Sequence, residues 1–419
     1  MVFQCCEIGE GGESVGQNMS DCDEILFLSG IYPLELGNQL TDPAINRNIQ
    51  VAADLLQKNI ICGLESCNQK PIQLLNAPYV GVYPRGCKIP RFRHAAFAHC
   101  DGAEDVNIPF WNLPGWRHFS IYHNSKRYIK TWVKAHPCGT VMAYGLTLRN
   151  VCRLLYAKRI SDRIKTCMIV PDLPLYMRLS AGWGYRMAKS VENWLICRQL
   201  HKIDGYVLLA KAMNDMVKAK HYCVMEGICC ADFLEPQEQQ FCNIVLYAGT
   251  LDKKYGIGQL LEAFHNIADP AVRLYLCGMG DSQSLVEEMV RQDDRICYFG
   301  QLSRPEILAL QSCASVLVNP RQNTEAYTKY SFPSKNLEYL SSGVPLVAYK
   351  LDGIPDEYDP YIHYVPDHTV QALQHTIEQV LSYSQQERRQ IGARAREFVQ
   401  TQKNAVVQAK KILDMLQHI

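Results

Sequence analysis

Ser334, Lys335 and Glu338 lie within the run SFPSKNLEYLSSG, residues 331–343, where their spacing suits the binding of a phosphate. A serine directly after a proline is a good helix N-cap, so the spacing predicts a helix opening at Ser334 with Lys335 in its first turn. Glu338 follows four residues later, one turn up on the same face. A helix start offers free backbone N–H groups and the positive end of the helix dipole. Together with Lys335, and with Arg321 from the preceding loop, it makes a diphosphate site. A carboxylate at Glu338 would accept hydrogen bonds from a ribose diol. Lys253 and Lys254, in the loop TLDKKYG after Gly249, add positive charge. Each feature also has an ordinary reading. A glutamate near a helix start complements the dipole, and single surface cations are usually just solvated. Spacing and polarity alone therefore give a ligand-binding loop suited to a phosphate.

These residues need a scaffold, and the second half of the chain supplies its pattern. NIVLYAG, VRLYLCG, RICYFG, SVLVNP and VPLVAY read as buried strands, each joined to the next by a segment of helical period. GIGQLLEAFHNI sets Leu260, Leu261 and Phe264 on one helix face. Such alternation predicts a doubly wound α/β domain, whose ligands bind at the carboxyl ends of the strands. EPQEQQ (235–240) is the expected linker before it. After Ala372 a helical pattern runs to the end of the sequence, with one break expected near 382–384.

The first half repeats the theme less regularly. EILFLSG, GTVMAYG, TCMIVPD and DGYVLLA read as strands, and residues 44–59 as an amphipathic helix. Residues 75–130 show no clean period. The expected organisation is α/β with two Rossmann-like doubly wound domains. Residues 1–236 form an N-terminal, acceptor-side domain and 237–395 a C-terminal nucleotide-binding domain. Residues 396–419 form a C-terminal helix packing back on the N-terminal domain.

Composition narrows the function. The 419 residues are longer than one core usually grows, and the net charge of +1 provides no field to draw nucleic acid. The 18 cysteines contain no CxxC pair, so they read as reduced thiols of a cytoplasmic protein, several of them in apolar runs (Cys167, Cys277). The N-terminus lacks the basic and apolar regions of a signal peptide. Asp21-Cys22-Asp23 has the spacing of a metal-binding carboxylate pair but precedes its strand, so no metal is expected there.

The blocks YAGTLDKKYGIGQLLEAF, LYLCGMGD, YFGQLSRPEILALQ, VLVNPR and KYSFPSKNLEYLSSGVPLVA span Tyr247–Ala348. In order and spacing they resemble the nucleotide-sugar domain of glycosyltransferase family 4, retaining enzymes of the GT-B fold, and are most similar to bacterial members that build capsular, exo- or O-antigen polysaccharide. In the first half, CMIVPDLPLYM and HYCVMEGI resemble such enzymes more weakly. The resemblance implies two Rossmann-like domains facing each other across a cleft. It also implies a UDP- or GDP-sugar donor, a glycan or lipid-linked acceptor, and no cofactor beyond the donor. Carried over by residue, Glu338 matches the ribose-binding glutamate. Phe332, Pro333, Ser334 and Lys335 match the loop that holds the donor phosphate and sugar. Thr250 falls in the first donor loop, while Gly278, Gly280, Gln301 and Leu302 fall in loops near the base.

Three departures bear on catalysis. The family's first glutamate is Tyr330 here, with Glu325 nearby but out of register. The Arg and Lys of its first donor loop are Thr250 and Tyr255, so Lys254 and Arg321 are expected to replace their charge. The histidine that often follows an N-domain strand would fall near Pro171, leaving only Asp172 at that loop. Lys254, Arg321 and Asp172 are therefore the candidate catalytic residues, with charge stabilisation at the diphosphate supplied without a metal. Two other readings stay open. One is a nucleotide-sugar epimerase or hydrolase, with Asp172 and the cluster Asp101, Glu104 and Asp105 as its nearest carboxylates. The other is a non-catalytic nucleotide-sugar-binding partner. Leu173–Lys202 mixes aromatic and basic residues. It is expected either to pack Leu179, Met187, Val191 and Leu195 on the sheet or to lie against a membrane near a lipid-linked acceptor.

Overall fold

A computed structural model describes residues 24–173, 183–229, 234–236, 243–323 and 326–419. Asp21-Cys22-Asp23, Leu179 and Glu325 lie outside them. The chain falls into two compact units, divided at Ile228 and again at Asn404. The first division lies eight residues before the expected boundary at 236, and the second nine residues after the one at 395.

The first unit is built on a sheet of eight strands. It opens with β1 (Ile25–Leu28), helices α1 (Leu34–Leu40) and α2 (Val51–Asn68), and β2 (Gln73–Asn76). Short strands β3 (Arg91–Phe92), β4 (Ala95–Phe97), β5 (Asp105–Asn107) and β6 (Phe110–Trp111) follow. Then come α3 (Arg117–Ala135), β7 (Thr140–Tyr144), α4 (Leu148–Ile160), β8 (Lys165–Val170) and α5 (Trp183–Cys197). The unit's main run closes with β9 (Gly205–Leu208), α6 (Asn214–Val217) and β10 (His221–Val224). The sheet order is β10-β9-β8-β7-β1-β2-β5-β4, and every pair except β4–β5 is parallel. β7 is buried at all five positions, as expected for a strand covered by helices on both faces.

The helix expected over 44–59 starts instead at Val51. Asn46 explains the delay. Its buried side chain donates to Leu40 O and accepts from Gly81 N, and its backbone bridges to Cys87. An asparagine that bonds backbone groups in this way competes with helix formation.

The second unit carries β11 (Asn243–Ala248), α7 (Ile257–His265), β12 (Val272–Cys277), α8 (Gln283–Gln292), β13 (Ile296–Tyr298) and α9 (Arg304–Cys313). It continues with β14 (Val316–Asn319), α10 (Ser334–Ser341), β15 (Leu346–Ala348), β16 (Ile362–Tyr364), α11 (Val370–Ser382) and α12 (Gln385–Gln402). Its sheet is wholly parallel, in the order β13-β12-β11-β14-β15-β16. The order reverses direction between β11 and β14, where a doubly wound sheet opens its binding crevice. Leu260, Leu261 and Phe264 of α7 are buried against this sheet.

The C-terminal helical pattern breaks at 383–384 as expected, and again at Lys403 and Asn404. The second break is where the chain returns to the first unit as α13 (Ala405–Gln417). Lys403 marks the turn. Its side chain is buried, gives Nζ to Glu357 Oε1 at 2.6 Å, and lies over the Tyr358 and Phe398 rings. α13 packs along α2, where Ala405 and Ala409 meet Gly63; a Cβ on Gly63 would overlap the Ala405 carbonyl.

One buried charged cluster clamps the β2–β5 edge to α2. His99 Nδ1 meets Asp105 Oδ2 at 2.6 Å, and Nε2 meets Glu65 Oε1 at 2.7 Å. The carboxylates also hold backbone: Asp105 accepts from Leu74 N and His99 N, and Glu65 from Ile72 N. Asp105 is thus a structural residue, with its carboxylate committed to the sheet edge. Burial alone would lower the His99 pKa, but the hydrogen bonds to Asp105 and Glu65 outweigh it and raise it to about 9 from 6.5. The imidazolium therefore stabilises the fold fully below pH 6.5, and its contribution is lost as pH rises through about 9. In urea titrations the wild type should lose on the order of 3 kcal/mol between those limits. His99→Gln should lack that part of the slope. Parallel slopes for the two proteins would refute the assignment.

Candidate functional site

The site is built from loops at the carboxyl ends of β11, β12, β13 and β14 together with α10. Its organising contact joins α10 to β11. The Tyr339 hydroxyl, fully buried, accepts from Ala248 N at 2.9 Å and donates to Ala248 O at 3.1 Å. Both backbone groups lie at the end of the strand, where the neighbouring ladder leaves them unpaired. Asn319 Nδ2 donates to Asn336 Oδ1 at 2.6 Å and ties the end of β14 to the same helix.

With α10 fixed, Lys335 is directed across the loop after β11. Its ammonium sits 4.1 Å from the centroid of the Tyr247 ring, a cation–π contact, and against Gly249. A Cβ on Gly249 would overlap Lys335 Nζ. Among the described residues no carboxylate pairs with this ammonium. Burial lowers its pKa to about 8; Glu338 pulls it back up and Arg321 pushes it further down. A partly buried cation of this kind, poised beside glycine backbone, is suited to receive an anion.

The adjoining loops are packed backbone to backbone. Gly249 N donates to Cys277 O, Gly278 N to Gly300 O, and Leu251 N to Met279 O. Gly278 has φ +127°, and a Cβ there would strike Gly249 O. Only glycine fits that position. Tyr298 caps the arrangement by donating to Gly278 O at 2.8 Å.

The expected residues are placed as follows. Glu338 is half-buried one turn above Lys335, and Gln311 Nε2 of α9 donates to its Oε1 at 2.7 Å. Among the described residues no hydrogen bond holds Oε2. Arg321 leaves β14, donates from Nη2 to Ser331 Oγ at 2.9 Å, and lies 5.9 Å from the Tyr255 ring. Lys254 is more exposed, 3.6 Å from Asp252 Oδ2 and 4.9 Å over the Tyr255 ring. Thr250 is exposed beside Gly249, and its carbonyl accepts from the Tyr247 hydroxyl at 2.7 Å. Gly280 packs on the Leu251 backbone, Gln301 is exposed after β13, and Leu302 rests on the core. Phe332 and Pro333 are buried.

Ser334 is not the N-cap. Pro333 takes that position with φ −74° and ψ 95°, and Ser334 is the first helical residue, its side chain exposed. A proline with extended ψ sets the helix entry by itself, so the serine hydroxyl is left at the mouth of the site. Tyr330 ends a short 3-10 turn (Ala326–Tyr330) before this loop. Asp172 belongs to the first unit. It stands exposed after β8.

Residues 235–398 match the family model "Glycosyl transferases group 1". That span carries the loops and α10 just described, and Asp172 lies outside it. No curated protein matches the sequence. Among solved structures, the chain is similar to sucrose-phosphate synthase from Thermosynechococcus elongatus, with a TM-score of 0.61 and 16% identity over 94% of this chain and 98% of that one. It is also similar to the lipopolysaccharide outer core galactosyltransferase WaaB, at 0.60 and 13% over 94% and 99%. The catalytic domain of starch synthase IV from Arabidopsis thaliana, bound to ADP and acarbose, gives 0.59 and 7% over 94% and 99%. These likenesses establish the fold as GT-B, with two Rossmann-like domains.

Sequence reading missed three residues of the site. Tyr247 falls in a run read as a strand, and Gln311 and Tyr339 in runs read as helices. Nothing in their local pattern marks them, because their partners are 88, 91 and 27 residues away.

Two outcomes test this geometry. NMR titration of Lys335 should give a midpoint near pH 8, rising once a nucleoside diphosphate is bound; an ordinary lysine midpoint in the free protein would contradict the placement. Tyr339→Phe leaves Ala248 N and O unpaired and should cost about 1–3 kcal/mol in urea unfolding.

Proposed function

We propose that the protein is a glycosyltransferase, transferring a sugar from a nucleoside-diphosphate donor to an acceptor hydroxyl with retention at the anomeric carbon. The observation that carries the reading is Lys335, held on Tyr247 beside the Gly249 backbone with Glu338 one turn above. The match of residues 235–398 to glycosyl transferases group 1 supports it.

In this reading the donor diphosphate lies against the start of α10, Lys335 and Arg321. Glu338 Oε2 accepts from the ribose, and Gln311 orients the carboxylate through Oε1. As the bond to the sugar breaks, negative charge grows on the leaving diphosphate. Lys335, Arg321, Lys254 and the α10 N–H groups stabilise it in place, without waiting for water to reorganise. Fixed cations at these positions do the work that a metal does in other transferases. The donor is a UDP- or GDP-sugar, and the acceptor a growing or lipid-linked surface glycan of the capsular, exopolysaccharide or O-antigen kind. Asp172 is the acceptor-side carboxylate of the scheme.

The reading includes a cytoplasmic protein that touches the inner face of the plasma membrane through α5. Of the two readings of this stretch, packing on the sheet does not hold for Met187, Val191 and Leu195, which are exposed at 51%, 54% and 36%, and Trp194 joins them at 55%. Arg198 lies 4.7 Å over the Trp194 ring. Such a face inserts its apolar residues at the headgroup level and keeps its cations at the surface. No described helix is long and apolar enough to cross a membrane.

Calorimetric titration with UDP- and GDP-sugars tests the donor site. One nucleotide class should bind, and Lys335→Met should weaken it at least ~10-fold, about 1.4 kcal/mol. Lys254→Ala with Arg321→Ala should abolish binding. Release of nucleoside diphosphate only with acceptor present marks a transferase; release without acceptor marks a hydrolase, and binding without turnover a partner subunit. Flotation with anionic liposomes should fail for Val191→Asp combined with Trp194→Asp.

A further inference from the structure

The first unit holds a second concentration of positive charge. Arg149 and Arg153 lie one turn apart on α4, and both guanidinium groups reach Asn150 Oδ1, at 3.4 and 3.3 Å. Asn150 in turn donates to Tyr144 O and Gly145 O at the carboxyl end of β7. Arg117, the first residue of α3, donates from Nη1 to Val80 O beyond the end of β2. The three guanidinium groups therefore gather at the carboxyl edge of the sheet, where parallel α/β units take their ligands.

Their partners do not account for their charge. Arg149 is 8% exposed and Arg153 1%. Among the described residues none of the three is in a salt bridge. Arg153 Nε and Nη2 and Arg117 Nε are buried without a hydrogen-bond partner. Tyr79 is the nearest group acting on Arg149, its ring centroid 6.0 Å from the guanidinium, but its hydroxyl donates to Tyr144 O; Glu192 acts from farther away, and its carboxylate is engaged by Lys189 at 2.6 Å. Burial lowers all three pKa values; the charge of Arg149 lowers those of Arg153, to about 9, and Arg117, to about 10, still further, while Tyr79 works against the shift at Arg149. A buried guanidinium without a counter-charge costs several kcal/mol. Two buried guanidinium groups and a half-buried third, together at a ligand-binding edge, are suited to share an anion.

We propose that Arg117, Arg149 and Arg153 form a binding site for a phosphoryl or carboxylate group, so that the acceptor of this enzyme is an anionic molecule. Arg149 and Arg117 present N–H donors to the anion, and Arg153 adds charge from beneath. The planar fork of arginine suits two oxygens of one such group. The word acceptor rests on the glycosyltransferase reading; the anion site itself does not.

The test uses the full chain without any donor. Thermal unfolding is followed in inorganic phosphate and in chloride of equal ionic strength. Phosphate should raise the melting temperature of the wild type by mass action. Arg149→Met should lower the apparent phosphate affinity at least ~10-fold, and Arg149→Lys less. Arg153→Met should also lose phosphate protection, yet melt higher than the wild type in chloride because an uncompensated buried charge is gone. Lys335→Met should keep the protection. The proposal is overturned if phosphate does not protect the wild type, or protects Arg149→Met equally. It is also overturned if protection disappears in Lys335→Met alone, which would place the phosphate in the second unit. Competition then identifies the source: displacement by phosphatidylglycerol vesicles assigns a lipid-borne phosphate, and displacement by glucose 6-phosphate a soluble one. Either agrees with the site. A protein that binds phosphate here but never a nucleotide sugar would keep this site and lose the transferase reading.

Discussion

The hydrogen bonds of the Tyr339 hydroxyl to Ala248 are the constraint on which the geometry of the candidate site depends. They satisfy two backbone groups that the end of β11 would otherwise bury unpaired, and they fix the rotation of α10 about its axis. Lys335 and Glu338 are on that helix, so their directions follow. If α10 turned by even one residue, about 100°, the ammonium would leave the Tyr247 ring and the carboxylate would leave Gln311. The loop glycines are the other half of the same constraint. Gly249 lies so close to Lys335, and Gly278 to Gly249, that a side chain at either would force the loops apart.

The two units manage positive charge in different ways. In the second, Lys335 is balanced by a π face and by a carboxylate one turn away, so it is poised but not neutralised. In the first, His99 is fully neutralised between two carboxylates and serves the fold. The arginines of α3 and α4 have no such balance. The contrast separates structural charge from charge held for a ligand, and it depends on counting partners rather than on counting cations.

Much of the fold was legible. The strands of the second unit follow from continuous apolar runs bounded by glycine and proline, because a parallel strand covered on both faces must be apolar throughout. Gly278 was legible as a loop residue, and Lys335 and Glu338 as neighbours on one helix face. The helix over 44–59 was misplaced because Asn46 bonds to backbone at Leu40 and Gly81, and a local pattern does not see a partner 35 residues away. The α5 face was left open between the sheet and a membrane for a related reason. Its periodicity shows an apolar stripe, but periodicity does not say which surface the stripe meets.

By itself, then, the sequence determined the alternation of strands and helices, the glycines the loops require, and the residue types able to hold a diphosphate. Those properties depend on neighbours within a turn or a strand. The tertiary structure decided which charges have partners. Glu338 is oriented by Gln311, Asp105 belongs to a sheet edge, and Arg153 is buried without a counter-ion. Pairing depends on distance in space, and here it joins residues that the chain itself sets far apart.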